Sequence, residues 1–164
     1  MEAPQELSSK YLQASVVQLQ DSIEKGIDSG LLESGEDAST LRHFFVPVTE
    51  EYGCGMYTRE LTVPKGMTFV GKLHRHPHMV FLLKGELMVV SEAGRESIKA
   101  PHTWVSPSGA KRAFYALEDS ILTNVHLTKT VGEDNLEIIE DEVISPTYTD
   151  MGLPEPDLTL LENK

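Results

Sequence analysis

Apolar residues in the first part of the chain recur with the spacing of one helix face. Intervals of four, three, four and four residues separate Leu12, Val16, Leu19, Ile23 and Ile27. This pattern predicts an amphipathic helix over residues 8–32, with Gly30 as its stop signal. Because a lone amphipathic helix must cover its apolar stripe, we expect it to pack on the rest of the domain or on a second copy of the chain.

From residue 43 to residue 127 the pattern changes to short β-rich runs separated by turn residues. Eight runs have the composition of strands: FFVPV, MYTRELTVP, MTFVGKLH, HMVFLLKGELMVV, ESIKA, TWVSP, RAFYAL and ILTNVHL. No helical pattern separates them, so we predict an all-β fold, an antiparallel sandwich or barrel. HMVFLLKG and MVV are apolar at both alternations, which predicts central strands covered on both faces.

The chain has the length of one domain of ordinary size. We divide it into a helical arm with a linker, residues 1–40, a β-barrel, residues 41–128, and an acidic C-terminal extension, residues 129–164. The extension begins with GEDNLEIIEDEVISP, which fits a short helix or a strand. Leucines in the irregular tail predict docking on the barrel or on a neighbouring subunit rather than a free tail.

Charge and composition exclude several classes of protein. The net charge of −12 argues against nucleic-acid binding, because such proteins present basic stripes to phosphates. No apolar run is long enough to span a membrane, and the acidic start of the chain lacks the features of a secretory signal. With Cys54 as the single cysteine, no internal disulfide forms, and we predict a cytoplasmic location.

Three of the six histidines lie in the segment GKLHRHPHMVFLLKG, residues 71–85. His74, His76 and His78 occupy alternate positions around Pro77. An unsatisfied buried polar group costs about 1–3 kcal/mol, and a divalent cation is the simplest partner that three imidazoles share. A turn at Pro77 would bring His78 opposite His74. A solvated histidine turn is the competing interpretation.

His126 is the best candidate ligand outside this segment. Strand alternation places it on the same face as Leu122 and Asn124. A core histidine with a backbone partner is the alternative there. Neutral imidazoles with open coordination positions suit Zn, Fe, Mn, Ni or Cu, and the sequence does not separate these metals.

The histidine segment resembles the first signature of the cupins, a family of small antiparallel jelly-roll barrels. That signature runs from a histidine pair through an acidic residue to a glycine seven positions later. His74 and His76 supply the pair, and His78 stands seven residues before Gly85, where the family usually has its glutamate. Without that carboxylate a bound ion keeps its full +2 charge, which favours an anionic or carbonyl-bearing ligand.

The second cupin signature, Pro-x-Gly followed by two residues and a histidine, resembles PSGAKR, residues 107–112, with Arg112 in the histidine place. Residues 57–126 are more closely similar to a set of small cupins carried by bacteriophages. The matching positions are His74, His78, Pro107, Gly109, Arg112 and His126. Position 76 is not a histidine in that pattern, so His74 and His78 rank above His76 as ligands.

The resemblance implies a cupin barrel, a homodimer and a small polar or anionic ligand held beside a metal. Arg112 would orient a carboxylate or phosphate, and Glu86 and Tyr115 are further candidates for ligand binding by proximity in the barrel. No residue stands out as a general acid or base among Tyr57, Arg59, Glu60, Glu86 and Tyr115.

Three functions stay open at this point. The first is a metal-binding cupin that binds its ligand, with or without transforming it. The second is a non-catalytic binder of phage origin that sequesters or senses a metabolite in the cytoplasm of a bacterial host. The third is a virion or assembly component, in which the arm and the tail grip neighbouring subunits.

Overall fold

A computed structural model describes residues 4–130 and 132–162 of the chain. The described residues form two α-helices, α1 (Pro4–Asp28) and α2 (Leu136–Val143). The strands are β1 (Thr40–Val46), β2 (Gly55–Val63), β3 (Thr68–Val70), β4 (Leu73–His74), β5 (His78–Lys84), β6 (Glu86–Ser91), β7 (Gly94–Lys99), β8 (His102–Ser106), β9 (Ala113–Ala116), β10 (Ser120–Thr128) and β11 (Ile144–Ser145). All eight predicted β-rich runs therefore contain strands. No helix in the described part of the chain is both long and apolar enough to cross a membrane.

Two antiparallel sheets face each other across a common core. The five-stranded sheet has the order β1-β2-β10-β5-β8, and the four-stranded sheet has the order β3-β9-β6-β7. Strands distant in sequence are thus interleaved, as Greek-key connections require. Side chains from both sheets form the buried core, which contains Val63, Val80, Leu82, Leu87, Val89, Ile98, Phe114, Ala116 and Leu122.

The chain passes from one sheet to the other at Gly85, the single residue between β5 and β6. Gly85 has a φ of +84°, a conformation that glycine adopts more readily than other residues. A Cβ added there would lie 2.5 Å from the backbone oxygen of Asp119 and would overlap the hydroxyl of Ser120. The glycine that ends the histidine segment is therefore needed for this corner.

Helix α1 covers the outer face of the four-stranded sheet. It packs against β3 and β6, and the 3-10 helix at Leu158–Leu161 packs on α1 in turn. Ala14 and Val16 are buried, whereas Leu19 and Ile27 stay partly exposed. The helix thus packs on the domain body, one of the two expected arrangements, and it begins and ends about four residues earlier than predicted.

The outer face of the five-stranded sheet has no such cover in the described residues. Met79 and Leu83 of β5 are 36% and 54% exposed, although the sequence predicts this strand to be covered on both faces. For β6 that prediction holds, because Met88 and Val90 on its outer face are partly buried. The two sheets therefore differ in what protects their outer faces.

The corner at Gly85 gives a first testable expectation. Gly85→Ala should destabilise the fold by clearly more than Gly66→Ala, measured as the free energy of unfolding in urea. Both glycines have nearly the same positive φ, +84° and +86°, but a Cβ at Gly66 meets no atom within 4 Å. Gly66→Ala therefore reports the conformational penalty alone, about 1–2 kcal/mol. Equal losses for the two variants would contradict a tight corner at Gly85.

Candidate metal centre

Three imidazoles from three different strands meet inside the sandwich. His74 ends β4, His78 begins β5 and His126 lies near the end of β10. The ring centroids are 4.1 Å apart for His74 and His78, 4.4 Å for His78 and His126, and 4.8 Å for His74 and His126. One ring nitrogen from each residue lies within 4.8 Å of the other two. The three rings are thus arranged around one point.

Two of the six ring nitrogens are buried with no hydrogen-bond partner among the described residues, His74 Nδ1 and His126 Nε2. His78 and His126 are 6% and 3% exposed. The third ring is better satisfied, because His78 Nε2 lies 3.1 Å from Asn124 Oδ1. Buried polar atoms are normally paired, so converging unpaired imidazole nitrogens fit the donor set of a divalent transition metal.

The surroundings keep these imidazoles neutral. Burial, and to a smaller extent the unfavourable electrostatic interaction of a protonated ring with His78, His126, Arg59 and Arg112, lowers the pKa of His74 to about 2. Burial, with His78, Arg59 and His76, lowers the pKa of His126 to about 3, and burial also lowers the pKa of His78. Neutral imidazoles offer free lone pairs, which is the state that metal binding requires.

The turn at Pro77 explains which histidines converge. β4 ends at His74, residues 75–77 form a bend, and β5 begins at His78, so these two side chains face each other. His76 lies on the bend, where it is exposed, and it is not a member of the cluster. The structure thus brings together three of the four predicted ligands and leaves His76 outside, because the bend breaks the strand alternation that would have pointed it inward.

The strand that carries His74 is held by the C-terminal part of the chain. β11 pairs with β4 so that Ile144 lies opposite His74. The Arg75 guanidinium donates hydrogen bonds to the carbonyls of Asp141 and Ile144, both at 2.9 Å, and its backbone N–H donates to Val143. The sequence predicts a short helix or a strand within the C-terminal extension but not its pairing with β4, since pairing with a two-residue strand leaves no periodic signal.

A cavity of about 400 Å³ lies between the sheets, and His74 and His78 line it. Most of its wall is apolar. The polar part of the lining comprises Arg59, Lys72, Ser106, Arg112 and Asn124, with the exposed Glu36. Ligand-sized cavities of this kind, with a few convergent polar groups, are typical of small-molecule sites.

The three predicted ligand-binding residues have different positions. Arg112 lines the cavity, and its Nη1 donates a 2.7 Å hydrogen bond to Ser106 Oγ. Tyr115 is 43% exposed and Glu86 bonds to Ser97 and Lys99, and neither lines the cavity. Tyr115 points outward because the alternation of β9 turns its neighbour Phe114 into the core.

Two residues of β2, Tyr57 and Arg59, connect the histidine cluster to other parts of the chain and belong to no sequence motif. Tyr57 is fully buried, stacks on His126 with centroids 6.1 Å apart, and lies 2.9 Å through its hydroxyl from His43 Nδ1. Burial raises the pKa of Tyr57 to about 12. Arg59, two residues further along the same face, pairs with Glu140 of α2 at 3.4 Å. These contacts join distant parts of the chain, which is why the sequence alone does not reveal them.

No protein-family model and no curated protein matches the chain. Similar solved structures include KdgF from Halomonas sp., 14% identical over 63% of this chain and 88% of that chain, with a TM-score of 0.47. A cupin 2 conserved barrel domain protein from Leptotrichia buccalis is 10% identical over 62% and 46%, with a TM-score of 0.46. An acetylacetone dioxygenase from Acinetobacter johnsonii is 23% identical over 58% and 66%, with a TM-score of 0.42. The similar structures thus include a named cupin.

Three single variants, His74→Ala, His78→Ala and His126→Ala, should each bind zinc at least tenfold more weakly than the parent protein, because each variant lacks one of three ligands. His76→Ala is the matched control, since it removes an exposed imidazole from the same segment and should leave the affinity unchanged. Competition with a chromophoric chelator measures the affinity, and circular dichroism checks folding. Equal effects of His76→Ala and His126→Ala would contradict the proposed ligand set.

Proposed function

We propose that this chain is a metal-binding cupin that holds a divalent transition metal on His74, His78 and His126 and binds a small molecule in the adjoining cavity. The observation that carries the proposal is the convergence of three imidazoles with two buried, unpartnered nitrogens. The metal is one of Zn, Fe, Mn, Ni or Cu, all of which accept neutral nitrogen ligands.

Two observations support the cupin assignment. The interleaved order of the two antiparallel sheets is the order of a jelly roll. The motifs around His78 and Arg112 lie where the strands that line the cavity begin or end. We therefore propose that the two sheets form a cupin barrel with the metal at its interior.

The charges around the cavity favour an anionic ligand. Arg59 and Arg112 both line it, the three histidines are neutral, and no carboxylate belongs to the histidine cluster. A bound divalent ion would add positive charge and supply a Lewis acid. The guanidinium of Arg112 offers a planar fork of donors that suits a carboxylate or a phosphate.

A binding role without turnover is the second candidate. Within residues 4–130 and 132–162, the one carboxylate that lines the cavity is the exposed Glu36. The Tyr57 hydroxyl lies within hydrogen-bond distance of His43, and its raised pKa keeps it protonated at neutral pH, so that it does not act as a base. The cavity therefore lacks an evident general base, which supports a binder that sequesters or senses its ligand. Phage origin, cytoplasmic location and a virion role stay predictions.

Elemental analysis of protein purified without an affinity tag tests the metal directly. We expect close to one equivalent of a single transition metal per chain, either as purified or after reconstitution and desalting. Less than about a tenth of an equivalent under both conditions would overturn the metal proposal, because sites of three imidazoles retain such ions through desalting.

Recovery of a bound ligand unchanged after long incubation with metal-loaded protein would favour binding over catalysis.

We further propose a homodimer formed through the outer face of the five-stranded sheet. Six apolar side chains on this face are at least 36% exposed. By the strand register they form two neighbouring cross-strand rows: Val46, Met56 and Leu127 in the first row, and Phe44, Met79 and Val105 in the second. A face of five strands up to nine residues long measures about 700 Å², near the roughly 800 Å² per partner of a stable interface. The one charged pair on this face, Arg42 with Glu60, is already neutralised within the chain.

Val105→Glu and Leu127→Glu should convert the dimer to a monomer, because each places a charge on a face that a partner would dehydrate. Light scattering after gel filtration gives the mass at about 50 μM protein. Leu31→Glu is the matched control, since Leu31 is 84% exposed on the linker after α1. A monomeric parent chain, or two sheet variants that stay dimeric, would contradict this interface.

A further inference from the structure

The cavity wall is mainly hydrocarbon and aromatic, which does not suit a ligand that is polar over its whole surface. Leu61, Val80, Phe69, Phe114 and Trp104 contribute hydrocarbon and aromatic surface from both sheets. Phe69 and Phe114 stack on each other with centroids 4.8 Å apart, so this side of the wall is aromatic. Such a wall gains free energy by dehydrating an apolar ligand body.

Two hydrogen-bonding side chains of the cavity lining are already engaged within the chain. Ser106 Oγ accepts from Arg112, and Asn124 Oδ1 lies 3.1 Å from His78 Nε2. A sugar or another polyol would bury several hydroxyl groups without partners, and each unpaired buried group is strongly unfavourable. The wall therefore selects against ligands with many hydroxyls.

Arg112 is the partly buried cationic group of the cavity lining that lacks a paired carboxylate among the described residues, whereas the third cation of the lining, Lys72, is exposed. Arg59 pairs with Glu140 at 3.4 Å, whereas in the described residues no carboxylate forms an ion pair with Arg112, whose guanidinium donates to Ser106. Burial lowers the pKa of Arg112, yet an arginine stays protonated in proteins. A partly buried guanidinium without a counter-ion is a site for an anionic group, which binds it through two parallel hydrogen bonds.

The position of Arg112 is fixed by the fold. Its backbone carbonyl accepts a 2.8 Å hydrogen bond from Gly71 N–H, at the start of the segment that leads to His74. A Cβ at Gly71 would lie 3.4 Å from the Phe114 ring and 3.5 Å from this carbonyl. The aromatic wall, the cation and the first histidine are thus held together by one short stretch of backbone.

We propose that the ligand is a monocarboxylate with an apolar body, such as a benzoate or a medium-chain fatty acid, whose carboxylate binds Arg112 while its hydrocarbon part lies on the wall formed by Leu61, Phe69, Val80, Trp104 and Phe114. This inference deepens the proposed function, because it names the ligand class of the same cavity. A ligand with an additional ammonium group fits poorly, since the unpaired guanidinium of Arg112 repels it.

Isothermal titration calorimetry of the zinc-loaded, tag-free protein tests the ligand class. The probes are benzoate, 4-ethylbenzoate, the neutral benzamide and the polar anion gluconate. We expect 4-ethylbenzoate to bind at least threefold more tightly than benzoate, as added buried methylenes predict, and benzamide and gluconate to bind at least tenfold more weakly than benzoate. Benzamide equal to benzoate, or gluconate tighter than benzoate, would overturn the proposal.

Variants assign the carboxylate to Arg112. Arg112→Met keeps the bulk and removes the charge, so it should weaken benzoate at least tenfold and leave benzamide unchanged. Arg95→Met is the control, because Arg95 is exposed on β7 and does not line the cavity. Arg112→Lys keeps a charge without the planar fork and should retain part of the affinity, which covers the case in which Arg112→Met does not fold. Unchanged benzoate affinity in both Arg112 variants would overturn the assignment.

Repeating the titrations after metal removal separates this inference from the metal proposal. If the chain proves to hold no metal, the metal-free parent protein should still bind benzoate more tightly than benzamide. Arg112→Met should lose this preference. If the chain holds metal but shows no such preference, the ligand class is wrong and the metal centre stands.

Discussion

Burial of three imidazole rings against one another is the constraint on which the rest of the site depends. Each ring is neutral because hydrocarbon and positive charge surround it, and two nitrogens have no partner among the described residues. A core that served stability alone would be better packed with apolar side chains, because unpaired buried nitrogens are unfavourable. The arrangement is explained if a metal ion satisfies these nitrogens.

Several independent elements of the fold hold this histidine cluster in place. β10 sets the face on which Asn124 and His126 lie, the bend at Pro77 brings His78 to His74, and β11 with Arg75 fixes β4 from the outside. The cavity is lined by His74 and His78, by the apolar wall and by Arg112. The proposed metal site, a cation and an apolar surface thus share one cavity, which suits a ligand with both an anionic and a hydrocarbon part.

Local pattern predicted the elements better than it predicted their partners. Helix α1 and the strand runs followed from periodicity, and the spacing of His74 and His78 around a proline followed from turn chemistry. The outward positions of His76 and Tyr115 depend on where strands begin and which face meets the other sheet. Likewise, the contact of β11 with His74 is a long-range pairing between short segments. Such contacts depend on the whole fold, so no local pattern carries them.

The most direct measurement is X-ray diffraction from crystals of the metal-loaded protein, recorded at and below the absorption edge of the metal. We expect one strong anomalous difference peak about 2.0–2.2 Å from a ring nitrogen of each of His74, His78 and His126, the distance at which imidazole binds such ions. A peak at His76 or His102 instead, or a space between the three rings without any peak, would contradict the account.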